Sequence, residues 1–271
     1  MFSKKKKNVT ANLSVTYLGQ RVSEMYLDPL TAFTIFEGLE KLSEEDILVD
    51  DELLTAKIIH LVVCSLELRP LLRAGVKDDD RVELFLEYHD LLISQEDFYE
   101  LRTDNFEDTI KTTLFLLDWM SEKSEDYLMD AYGVRPGEIA YKQQTGDWLL
   151  YACEELSRIS NFKSLLKVLK HLRLRIKHGV SFELLPLLRF KGVGRVRARV
   201  LFNNGVKNIS DVGKISFEDL SKLVGVSLAK DMKSEVGEVF CEEEIASVRK
   251  SINANKPKEH GSSSQKNLGD F

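Results

Sequence analysis

Cysteine is scarce in this chain of 271 residues: Cys64, Cys153 and Cys241 are widely separated and odd in number. That excludes a disulfide framework and a cysteine-rich zinc site, and it suits a reducing compartment, here read as cytoplasmic. Long apolar runs are lacking too. None approaches the ~20 residues that cross a bilayer, and Met1 to Lys7 form a basic start without the apolar segment of a signal peptide, so no membrane association is expected. A nucleotide-phosphate loop is also absent, because Gly213-Lys214 is followed by Ile215 and Asn208 stands where the leading glycine of GxxxxGK[ST] belongs. His60, His89, His171, His178 and His260 have no HExxH or CxxC companion, so neither a metal nor a cofactor is expected. Acidic runs such as Asp78 to Asp80 and Glu242 to Glu244 read as solvated faces. No residue is assigned a catalytic role, and the chain by itself is not expected to be an enzyme.

What is present is a segregation of charge. The formal net charge is −6, yet residues 158–214 carry fourteen Lys and Arg against Glu183 and Asp211, so that segment is +12 and the remainder −18. A basic block inside an acidic chain points to a localised anionic partner, and nucleic acid fits best.

Apolar positions from Val15 to about Lys177 recur at three- and four-residue spacings, which predicts an all-α bundle of about seven helices. The candidates are 30–42, 53–66, 82–92, 106–120, 124–132, 138–159 and 162–176, separated by proline and glycine. Shorter helices follow Gly179, interrupted at Gly192, Gly194, Gly205, Gly213 and Gly225. Ser216, with Asp219 three residues on, is a good cap for one of them. The division expected is a basic N-terminal tail at 1–14, a helical bundle at 15–179, a small helix-hairpin-helix domain at 180–240, and an acidic, then disordered, tail at 241–271.

Within the basic block, Phe190-Lys191-Gly192-Val193-Gly194-Arg195 reads as a hairpin built to hold a phosphate. Two glycines allow a tight turn, and a helix starting at Arg195 would point unpaired N–H groups outward. Gly192, Val193, Gly194 and Arg195 are expected to supply amides. Arg195 and Arg199 lie four apart on one face and one or the other adds charge, while Arg197, rotated by about 200°, contacts a neighbouring strand position or another domain. Val196, Ala198, Val200, Leu201 and Phe202 supply the packing face. Leu223 to Ser227 look like a weaker second copy. On 138–159, the stripe of Tyr141, Thr145, Trp148, Ala152 and Ile159 could be core or could stack on single-stranded bases. At the other end of the chain, Gln265, Leu268 and Phe271 sit three apart on a polar tail and suit a partner groove.

These residues resemble the C-terminal part of the archaeal Ski-like superfamily-two DNA repair helicases of the Hel308 type, ATP-dependent enzymes that act at stalled forks. The likeness runs through Tyr17-Leu18-Gly19, Arg21 to Thr31, Asp118-Trp119, Tyr132-Gly133, Pro136-Gly137-Glu138, Asp147-Trp148-Leu149, Arg175 to Val180 and Gly194 to Arg199. It implies a seven-helix bundle with a ratchet helix on the translocating strand, followed by a helix-hairpin-helix domain that grips DNA. Trp148 becomes the ratchet aromatic. Where some members have a DNA-touching arginine this chain has Tyr141, so Lys142 is left to supply that charge. Pro186 should shorten or kink the helix before the hairpin. The motor domains of the family are not in this sequence, so a separate helicase motor is one implied partner, beside single-stranded or forked DNA. The tail resembles the peptide by which repair proteins bind the sliding clamp PCNA, with Gln265, Leu268 and Phe271 as its amide, aliphatic and aromatic.

Overall fold

The computed structural model describes residues 14–45, 47–48, 51–95, 98 and 105–254. Lys4 to Lys7 and the tail residues Gln265, Leu268 and Phe271 lie outside them. Among the described residues there are thirteen α-helices and no strand, so the all-α class holds. The chain divides into two compact units between Leu185 and Pro186, which assigns residues 180–185 to the larger unit.

Eight α-helices are described in the larger unit: α1 (Tyr17–Glu24), α2 (Pro29–Ser43), α3 (Glu52–Val63), α4 (Asp79–Tyr88), α5 (Phe106–Met120), α6 (Glu125–Tyr132), α7 (Pro136–Ile159) and α8 (Leu165–His178). The short α1 raises the count above the expected seven. Local chemistry sets many of the starts. Asp28 caps α2 through Leu30 N at 2.8 Å with Pro29 at the first helical position, and Asp51 caps α3 through Leu53 N at 2.8 Å. At α7, Pro136 opens the helix and Glu138 Oε2 accepts from Arg135 N at 2.8 Å. The expected helix 53–66 ends at Val63 and gives way to a 3-10 turn at Leu66–Leu68.

The core is made by Ile35, Leu39 and Leu42 of α2, Ile58, Leu61 and Val62 of α3, Ile110, Phe115 and Leu116 of α5, Leu149, Leu150 and Cys153 of α7, and Leu165, Leu169, Leu172 and Ile176 of α8. Burying each such side chain removes its apolar surface from water at about 25 cal/mol per Å². The end of α8 is keyed to this core. Gly179 takes φ +61° to cap the helix, and Trp119 Nε1 donates to the Ile176 carbonyl at 2.7 Å just before it. A Cβ on Gly179 would lie 2.5 Å from the Trp119 ring, so only glycine fits there.

The smaller unit follows a 3-10 run at Phe182–Leu187 that contains Pro186. Its helices are α9 (Arg195–Asn203), α10 (Ile209–Lys214), α11 (Phe217–Val224), α12 (Val226–Glu235) and α13 (Glu242–Ala254). Ser216 Oγ accepts from Asp219 N at 3.0 Å to start α11. The core comprises Phe190, Val193, Ala198, Leu201, Val206, Val212, Leu220, Ala229 and Met232. Two expectations are corrected. The second hairpin is reduced to Gly225 alone, with α12 starting at Val226, because φ +89° at that glycine turns the chain in one residue. The acidic run at Glu242 to Glu244, expected as the charged beginning of a tail, is part of a packed helix. It opens α13, where Ile245 is buried and Ser251 Oγ donates to Glu218 Oε1 at 3.0 Å.

Candidate nucleic-acid interface

The hairpin at 190–194 is formed by backbone. Gly192 has φ +90°, Val193 N donates to the Phe190 carbonyl at 3.0 Å, and Gly194 is the N-cap of α9. Val193 is therefore corrected: its amide is spent inside the turn and its side chain is buried. The ladder of α9 opens with Ala198 N donating to the Gly194 carbonyl at 2.9 Å, so the amides of Arg195, Val196 and Arg197 come before it, at the positive end of the helix dipole.

The arginines divide the work. Arg197 turns back, its NH1 donating to the Gly192 carbonyl at 2.7 Å, so it braces the hairpin. Arg195 and Arg199 are half-exposed, and Arg199 lies over the Phe202 ring at 5.3 Å, which Lys207 approaches at 5.1 Å. Cations resting on an aromatic face keep their charge at the surface. Arg189, Lys191 and Lys207 are exposed within the same unit. Val196 is also corrected: it is 73 % exposed, the buried residues of α9 being Ala198 and Leu201.

In the larger unit, Trp148 on α7 is partly buried against the core, with one side toward solvent. Trp119 is instead a core residue. Lys142, expected to offer charge to a strand, does not: it is 2 % exposed, and Nζ donates to the Pro70 carbonyl at 2.6 Å and lies 3.5 Å from that of Leu68. Burial pushes its ammonium down to about 8, with Glu138 opposing the shift. Tyr141 belongs to the same clamp, its hydroxyl 2.8 Å from the Arg69 carbonyl and 3.0 Å from that of Glu67. These two residues fasten α7 to the 66–70 segment. The charge that sequence reasoning missed is Arg173 of α8, which donates to Asp147 Oδ1 at 3.0 Å and Glu154 Oε2 at 3.1 Å and covers the Tyr151 ring at 5.0 Å, one turn from Trp148. The basic spacing of α8 was the available signal.

One constellation looks chemical and is closed. His60 Nε2 lies 3.1 Å from Thr109 Oγ1 and 3.6 Å from Cys64 Sγ, but all three are buried and desolvation pushes His60 down to about 3, so no substrate reaches them. Among the described residues no group of His, Cys, Asp or Glu could hold a metal ion, and no helix is long and apolar enough to cross a membrane.

Residues 56–179, from α3 through the glycine cap of α8, match the family described as archaeal helicase, domain 4. The bundle is thus of a helicase-associated class. The chain is 34% identical to the ATP-dependent DNA helicase Hel308 of Methanococcus vannielii over 248 residues, which is 90% of this chain and 32% of that protein. It is 30% identical to Hel308 of Methanocaldococcus jannaschii over 231 residues, or 85% of this chain and 18% of the relative, and 34% identical to that of Caldivirga maquilingensis over 220 residues, or 79% and 29%. Over most of its length the chain is therefore similar to the Hel308-type helicases. The chain spans a third or less of the length of these relatives.

Proposed function

We propose that this chain is a DNA-holding module of a Hel308-type helicase, one that grips single-stranded or forked DNA without reading its sequence while an ATP-driven motor supplies movement. The hairpin at Gly192 to Arg195 holds a phosphate through the amides at the start of α9, with Arg195 and Arg199 adding charge, in the manner of a helix-hairpin-helix. Trp148 stacks on a base of the strand. This chain's own residues perform no ATP hydrolysis in the proposal, and Gln265, Leu268 and Phe271 recruit it to the sliding clamp. The observation that carries the reading is the braced hairpin: a turn pinned by Arg197 and opening a helix whose first amides are flanked by cations, in a chain of helicase kinship.

A second reading, that the chain partners a separate helicase motor and binds DNA little by itself, draws on an open groove of about 670 Å³ between α1 and α2, lined by Leu18, Val22, Phe33, Phe36 and Leu156. Such an apolar surface suits a protein neighbour.

Fork-DNA anisotropy across 50 to 200 mM salt separates the two. The module should lose affinity steeply, roughly linearly in log K against log salt. Arg195→Glu with Arg199→Glu should weaken binding about ten-fold or more, and Trp148→Ala should remove the ~1–3 kcal/mol of one stacked base. Binding that is flat in salt and indifferent to both changes would sink the first reading and leave the second.

A further inference from the structure

Helix α8 carries cations on two sides, and only one side is neutralised. Leu165, Val168, Leu169, Leu172 and Ile176 face the core. At the flanks the arginines are engaged, Arg173 with Asp147 and Glu154, and Arg175 with the Val180 carbonyl at 3.4 Å. Opposite the core, Lys167, Lys170, Leu174 and Lys177 recur at spacings of three, four and three, which confines them to a strip about 80° wide. All four are exposed, and exposed Lys163 stands one turn before Lys167, just ahead of the helix. Among the described residues none of these four lysines is paired with a carboxylate.

Like charges three and four residues apart destabilise a helix by a few tenths of a kcal/mol each, and an intervening acid would relieve them. This face has none. Lys170, Leu174 and Lys177 also line a shallow depression of about 340 Å³ together with Asp147 and Glu154 of α7. Arg173, in the same depression, takes up both carboxylates, so the lysines set its residual charge. Asp147 immediately precedes Trp148.

We propose that this strip is a second nucleic-acid contact, a rail for the phosphates of a strand that runs along α8 beside Trp148. The proposal rests on the DNA-holding reading but concerns a different surface from the hairpin, in the other compact unit. From Lys167 to Lys177 the axial length is about 15 Å, enough to accompany more than one phosphate of an extended strand. A nucleic-acid backbone is the occupant, because exposed cations aligned along one face without carboxylate partners match a polyanion. A protein partner would need an apolar centre, and Leu174 is the one exposed apolar residue in the strip.

The test compares the full chain with Lys167→Glu/Lys170→Glu/Lys177→Glu and with Arg195→Glu/Arg199→Glu, using labelled oligothymidine between 50 and 200 mM salt. Circular dichroism serves as the folding control. The lysine variant should bind about ten-fold or more weakly, with the salt slope reduced by about two, since each phosphate on a single strand contributes about 0.7. Wild-type affinity and slope in the lysine variant, alongside weakened binding by the hairpin variant, overturns the rail and leaves the hairpin reading standing. Unchanged binding in both overturns the two together. Reductive methylation of the unmodified chain gives an independent readout: oligothymidine should protect Lys163, Lys167, Lys170 and Lys177 and leave Lys41 and Lys230 reactive. Equal labelling with and without the oligonucleotide counts against the rail.

Discussion

The larger unit carries most of the buried polar side-chain ties, and the smaller one, which buries Lys233 against the Gly213 carbonyl at 3.1 Å, carries most of the glycines with positive φ. In the bundle, Trp119 is tied to the Ile176 carbonyl, Lys111 Nζ meets Asp78 Oδ2 at 2.8 Å, and Lys142 sits on the Pro70 and Leu68 carbonyls, all of them buried. In the hairpin unit, Gly192, Gly205, Gly225 and Gly237 all take positive φ, against Gly133 and Gly179 in the larger unit. The difference matters for a ligand. A bundle fixed by interlocked side chains offers single residues, such as Trp148 or the lysines of α8, at defined places. A unit made of tight turns offers amides, which suit phosphate and carry no sequence information.

The sharpest way to break this contrast is at Gly179, where the bundle also depends on one backbone conformation. Gly179→Ala must place a methyl group 2.5 Å from the Trp119 ring at φ +61°. Strain and overpacking together should cost about 3–5 kcal/mol. Both tryptophans lie in the larger unit, so denaturant unfolding followed by tryptophan fluorescence reads that unit alone. A loss under ~1 kcal/mol would mean that the Trp119 contact is soft and that the bundle is not locked there.

A smaller effect is expected at Lys142, through pH. Its ordinary value of 10.5 is lowered to about 8 by burial. Below about 8 both folded and unfolded chains carry the proton, and the folded state bears the cost of the buried charge. Between about 8 and 10.5 the unfolded chain binds more protons, so stability contributed by this group rises with pH, by about 1–3 kcal/mol. Lys142→Met removes the titration. Compared over that window, wild type should gain stability relative to Lys142→Met, and parallel curves would place the ammonium in water.

Why these features differed in legibility follows from the range of the interactions. Helix periodicity and caps are local, so Phe106–Met120 and the start of α11 after Ser216 agree with their sequence patterns. The turn at Gly192 to Gly194 was legible for the same reason. Lys142 was not, because its carbonyl partners lie 72 and 74 positions away and a lysine on an amphipathic helix reads as solvated. The inward use of Val193 N–H and the backward reach of Arg197 depend on the closed geometry of the turn. For α13, the apolar pair Ile245 and Val248 at helical spacing was the signal, outweighed by three consecutive glutamates.

The smallest predicted effect asks which side of the comparison Arg197 belongs to. It is exposed, and its bond of 2.7 Å to the Gly192 carbonyl is a contact of the kind that contributes about 0.5–1 kcal/mol. Arg197→Ala should therefore barely move global unfolding. Its effect should appear in the hairpin, as faster hydrogen exchange near Gly192 to Gly194 and a few-fold loss of fork-DNA affinity. Arg197→Lys then separates bracing from direct contact. A phosphate needs only the charge, whereas bracing needs an N–H donor at the reach and angle of the guanidinium NH1. If Arg197 braces the turn, lysine should behave like alanine in exchange and in affinity. Affinity restored by lysine, while exchange stays fast, would make Arg197 a phosphate ligand and show that the turn is held by its glycines alone.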